Sequence, residues 1–192
     1  MPKLWNQTIE SHRQQVRDAV LDATAQLTND HGLLNVTMSQ IAEASGIGRA
    51  TLYKYFTSID EILHAWHEQQ VNQHLEMLTA VANRESSAAG RLTAVLETYA
   101  KIQRQRAQHD SSGLAARLHR DPRLTTAEQQ LRDLIASLLT QAAAVGEVRD
   151  DIPPRELANY CLHALNGAGN ATSAAATQRL VRITIAALRH EH

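Results

Sequence analysis

Only eight glycines and four prolines interrupt 192 residues. Where they fall restricts the fold more than any other feature, because these two residue types break helices. Gly32, Gly46, Gly48, Gly90, Gly113, Pro122, Gly146, Pro153, Pro154, Gly167 and Gly169 bound segments whose apolar residues recur at a helical period. No segment sustains the period-2 alternation of a strand, and none carries an Asn-Gly hairpin. The expected fold class is all-α.

Polar residues at the segment starts mark the helices. Ser11 and Gln14 have capping-box spacing and open a first helix whose stripe is Val16, Ala19, Val20, Ala23 and Leu27, ending at Gly32. Thr37 and Gln40 form a second box, before a short helix that buries Ile41 and Ala42 and stops at Ser45-Gly46. A third short helix spans Arg49 to Phe56, and Ser58 with Glu61 opens a long fourth helix with no breaker before Gly90. Further helices are expected around Leu92–Ile102, Leu114–Leu118, Leu131–Leu139, 154–166 and 174–190.

On a wheel of about 100° per residue, Ile59, Ile62, Leu63, Trp66 and Met77 share one side of the fourth helix. Val71, Leu75, Leu78 and Ala82 lie roughly 130° away. A stripe that changes face implies one helix serving two cores, with residues 1–58 as one domain and 59–192 as the other; a wide buried face inside one domain is the alternative. The last helix carries apolar residues on too many sides for a single partner. Together with its neighbour it provides a candidate homodimer surface of Leu157, Cys161, Leu165, Leu180, Ile183 and Leu188, while a core helix within one subunit reads equally well.

The stretch at 37–56 carries the chemistry. Helix, Gly46-Ile47-Gly48 turn and helix is the layout of a helix-turn-helix, whose second helix enters a DNA major groove N-terminus first. Unpaired N–H groups and the positive dipole end favour phosphate there. Gly48 and Ala50 permit close approach, Arg49 can reach a guanine edge or a phosphate, and Thr51 can meet a phosphate or a thymine methyl. Tyr53, Lys54 and Tyr55 suit the sugar-phosphate backbone, with Thr37 and Ser39 of the preceding helix beside them; Leu52 and Phe56 face inward. Tyr55 fits either side.

TMSQIAEASGIGRATLYKYF, residues 37–56, resembles the helix-turn-helix of the tetracycline-repressor-like (TetR) family of bacterial transcriptional regulators. The likeness extends to DATAQLTNDHG at 22–32 and FTSIDEIL at 56–63. It implies an N-terminal three-helix DNA-binding domain, a C-terminal helical effector-binding and dimerisation domain, and a homodimer gripping a palindromic double-stranded operator at grooves about 34–36 Å apart. It also implies a small-molecule effector whose binding alters that spacing through the fourth helix, most often as relief of repression. Three positions depart from the family pattern: Gly48 replaces the usual N-cap serine, Ala50 the following glycine, and Ile59 the usual basic residue at the start of the fourth helix. Within residues 1–67, five basic side chains (Lys3, Arg13, Arg17, Arg49, Lys54) face seven acidic ones (Glu10, Asp18, Asp22, Asp30, Glu43, Asp60, Glu61), a balance of 5 − 7 = −2. Few phosphate cations imply a shallow salt dependence.

Other residues invite other readings. His64, His67 and His74 share an arc of the fourth helix and suit a pocket wall or, with further ligands, a metal; no carboxylate or thiol is dictated nearby, so no metal is assigned. Trp66, Tyr99, Gln103, His119 and Tyr160, with His64 and His67, are the candidate effector-pocket residues, or plain core. There is no G-x-S-x-G elbow, P-loop or dinucleotide fingerprint, so neither a catalytic set nor a cofactor is expected. A net charge of −1 argues against bulk coating of nucleic acid, and no apolar run approaches the roughly 18 residues of a membrane span. The single Cys161 and an N-terminus lacking the apolar stretch of a secretory signal point to a cytoplasmic setting. Two other functions fit the same residues: a helical protein-interaction module with a vestigial helix-turn-helix, or a metal- or small-molecule-binding enzyme built around His64 and His67.

Overall fold

A computed structural model describes residues 2–32, 35–109 and 122–189. Eight α-helices and no strand occur among them: α1 (Pro2–His31), α2 (Met38–Ala44), α3 (Arg49–Tyr55), α4 (Ile59–Ala82), α5 (Ala88–His109), α6 (Pro122–Ala144), α7 (Pro154–Asn166) and α8 (Ala174–Ala186), with a 3₁₀ turn at Gly167–Asn170. The expected short helix at Leu114–Leu118 lies outside the described residues.

The turns follow from local chemistry. Thr37 caps α2 in a reciprocal box: its hydroxyl accepts from Gln40 N (3.3 Å) while its own N–H donates to Gln40 Oε1 (2.9 Å). Gly46 at φ +68° ends α2, with its N–H on Glu43 O and Ile47 N–H on Ala42 O, the paired bonds of a Schellman stop that needs a left-handed residue. Gly146 repeats the device after α6, with φ +73° and Glu147 N–H on Ala142 O. At α4, Ser58 Oγ accepts from Glu61 N as expected, but the Glu61 carboxylate reaches one residue further back, to Thr57 N (2.7 Å) and Thr57 Oγ1 (2.9 Å).

Two helix ends differ from the sequence expectation. The first helix begins at Pro2 rather than Ser11, since proline is tolerated in a first turn and nothing between the two residues breaks the helix. The last helix ends at Ala186, short of residue 190. Arg149 takes over there: its N–H donates to Leu188 O (2.8 Å) and its guanidinium, paired with Asp151, donates to Ala187 O.

Contacts divide the chain into two compact units, one running to Gln70 and one beginning at Val71, so the division falls inside α4 rather than at its start. The first unit is built on Val20, Leu21, Val36, Ile41, Ala42, Leu52, Phe56, Ile62 and Ala65. The second packs α5 against α6, α7, α8 and the 3₁₀ turn, around Leu92, Leu96, Ile135, Leu139, Cys161 and Leu165. Ile62 and Leu63 of α4 are buried in its N-terminal part and Leu78 and Ala82 in its C-terminal part, as a face-changing stripe requires. Met77 departs from that pattern, being 49% exposed.

Candidate nucleic-acid interface

α3 is seven residues long, too short to persist as an isolated helix, so its conformation depends on docking. Leu52 and Phe56 are both completely buried and face Val20, Ile41 and Ile62 in one cluster. Arg17 of α1 lays its guanidinium 4.8 Å from the Phe56 ring centroid, a cation–π contact that ties α1 to the end of α3. Gly48 is the N-cap and supplies no side-chain cap; its carbonyl accepts from Thr51 N and Leu52 N, both at 2.9 Å.

The opposite face is open. Gly48, Arg49, Ala50, Thr51, Tyr53 and Lys54 are all exposed, and the first four present little bulk beyond one guanidinium. Thr37 and Ser39 are exposed too, although the Thr37 hydroxyl is engaged with Gln40 and serves first as a helix cap. Tyr55 is half-buried against the cluster, so it belongs to the inner side of α3.

The expected pocket residues are distributed over both units. His64, Trp66 and His67 lie before the division of the chain, and Trp66 packs on the first unit's core. Tyr99 and Gln103 belong to the second unit, where the Tyr99 hydroxyl donates to Asn166 Oδ1 at 2.7 Å. Burial pushes the Tyr99 phenol up to about 12, and Glu128 adds to this while a hydrogen bond to Gln103 and the charge of Arg106 oppose it. The imidazole of His74 is held below its ordinary value by burial and then by Arg106. Tyr160 is 42% exposed on α7, and His119 lies outside the described residues.

Most of the candidate dimer residues take the other placement that the sequence left open, a core within one subunit. Leu157, Cys161, Leu165 and Leu188 are buried in the second unit's own core, and the Cys161 thiol is pushed up to about 12 by that burial. α7 has one apolar face, and the bundle consumes it. Leu180 is half-buried against the same core, which leaves Ile183, 65% exposed, as the outward apolar residue of that set. A further feature had no sequence signal: a hollow of about 230 Å³ in the second unit, lined by Leu92, Thr93, Glu147, Val148, Ile185 and Arg189 among others. Its walls come from three distant segments.

Comparison with known proteins follows the same division. Residues 20–66 match the family model "Bacterial regulatory proteins, tetR family", and residues 93–190 match "Transcriptional regulator SbtR-like, C-terminal domain". The nucleoid occlusion factor SlmA of Haemophilus influenzae is 28% identical over 97 residues, 50% of this chain and 43% of SlmA, so the match spans less than half of that relative. A TetR/AcrR-family transcriptional regulator from Thermobifida fusca superposes with a TM-score of 0.74 at 19% identity, covering 91% of this chain and 98% of that one. FadR from Bacillus subtilis, solved in complex with stearoyl-CoA, gives 0.65 at 15% identity, covering 90% and 97%. At such identities the likeness is one of fold.

Proposed function

This chain belongs to the TetR family of bacterial transcriptional regulators, and from that premise we propose that it is a ligand-responsive repressor which binds a palindromic DNA operator as a cytoplasmic homodimer. One observation carries the DNA-binding part: α3 buries Leu52 and Phe56 completely while Gly48, Arg49, Ala50, Thr51 and Lys54 stand in solvent. A groove-reading helix needs that division, with a rigid back and a front whose N-terminal end is slim enough for the backbone to approach the bases. In this reading Arg49 and Thr51 touch base edges or the nearest phosphates, whereas Lys54 and Tyr53 hold the backbone and set the register.

The homodimer is assigned to the outer faces of α7 and α8, where Tyr160 and Ile183 are large apolar groups left in solvent. The effector is assigned to the second unit; that proteins of this fold take small-molecule ligands is supported by B. subtilis FadR, solved in complex with stearoyl-CoA. Occupancy there acts on DNA through α4, which contributes buried residues to both parts of the chain. We read the protein as a binding protein and not an enzyme.

The test is a mobility shift on the DNA flanking its own gene, across a salt series. A palindrome-dependent complex is expected, with a shallow salt slope because residues 1–67 carry a balance of −2. Thr51→Ala is expected to weaken operator binding selectively, and Lys54→Ala to weaken it for all sequences and flatten the slope by about 1 per contact. Binding that is sequence-blind at every salt, or unchanged in both variants, supports a helical interaction module instead.

A further inference from the structure

We propose that the hollow between the start of α5, the turn after α6 and the end of α8 is a binding site for a small zwitterion, an α-amino acid with an apolar side chain. It is separate from Tyr99 and Gln103: Leu92, in its floor, sits about 10 Å along α5 from Tyr99 at 1.5 Å per residue. The volume of about 230 Å³ lies below the roughly 300–1,000 Å³ of clefts that take drug-sized ligands, which favours a small metabolite.

Chemistry narrows the class further. Leu92, Val148 and Leu188 are almost fully buried and make an apolar floor. Two opposite charges line the hollow, Glu147 and Arg189, and both are exposed. Glu147 is held in place, since its Oε2 accepts the Ala89 N–H in the first turn of α5 at 2.8 Å. A simple carboxylate entering the hollow gains Arg189 but meets Glu147, and a simple amine gains Glu147 but meets Arg189. A molecule carrying both charges gains at both residues while placing an aliphatic group on the apolar lining. Thr93 offers a hydroxyl beside them.

The experiment is isothermal titration of the full chain with L-leucine, isocaproate, which lacks the amine, and isoamylamine, which lacks the carboxylate. Leucine is expected to saturate at one per chain with a Kd at or below about 1 mM, and each analogue to bind at least about tenfold more weakly. Glu147→Gln should weaken leucine about tenfold while isocaproate, freed of the opposing carboxylate, binds more tightly, and Arg189→Met should weaken leucine while isoamylamine binds more tightly. Both side chains are exposed, so the variants keep the fold. No saturable leucine binding by about 10 mM, or an equal loss for leucine and isocaproate in Glu147→Gln, overturns the proposal. Operator binding by the ligand-free protein is measured apart from this, so either result stands without the other.

Discussion

Replacing Leu52 with alanine probes the link between core packing and the DNA-binding face. Leu52 is completely buried and, with Phe56, anchors a helix of seven residues that has no side-chain N-cap. Removing three buried carbons from such a site costs about 2–5 kcal/mol, the upper part of the range applying where the walls cannot collapse. Those walls include Val20, Ile41 and Ile62, from three different helices, so collapse needs concerted movement. A unit running to Gln70 has a total stability of only about 3.5–10 kcal/mol at typical values per residue. With a urea m-value of about 1–1.5 kcal/mol per M for so small a unit, a loss of about 3 kcal/mol lowers its midpoint by about 2–3 M. Urea titration followed by far-UV circular dichroism measures this, with Tyr53→Ala as the control: Tyr53 lies on the same helix but is 45% exposed, and its loss should cost within about 0.5 kcal/mol. Operator affinity should fall in Leu52→Ala even at urea concentrations where the second unit is intact. If the two variants unfold at the same midpoint, Leu52 does not anchor α3 and the case for a rigid reading helix collapses.

Two further outcomes follow from the second unit. Tyr99 and Cys161 both titrate higher folded than unfolded, at about 12 against 10.0 and 9.0. Their neutral forms therefore favour the folded state; this stability is complete below about pH 9 and is lost as pH rises towards 12, so alkaline unfolding should set in within that window. Tyr99→Phe should remove the tyrosine share of that slope and, by deleting the bond to Asn166, cost about 0.5–1.5 kcal/mol at neutral pH in thermal melts. Ile183→Glu should turn a dimer into monomers in sedimentation equilibrium, with little change in the stability of a subunit because the residue is 65% exposed within it; an unchanged dimer would place the interface elsewhere.

The features legible in the residues are those whose physics is local. Thr37 with Gln40 and Ser45 with Gly46 lie within a few positions of each other, and a cap or a left-handed stop forms wherever the backbone can bend that way. The same holds for the slim, exposed front of α3, since Leu52 and Phe56 one turn apart dictate which side turns inward. Where α8 ends was not legible, because Arg149, far away in sequence, supplies the bonds that stop it. Helical periodicity says that α7 and α8 have apolar sides but not which neighbour covers them, so for Leu157, Cys161, Leu165 and Leu188 a subunit surface and a core read equally well until α5 and α6 were in place. The hollow at Glu147 and Arg189 is the extreme case. It brings together residues from three parts of the chain that share no spacing, and concave space exists only once helices are packed.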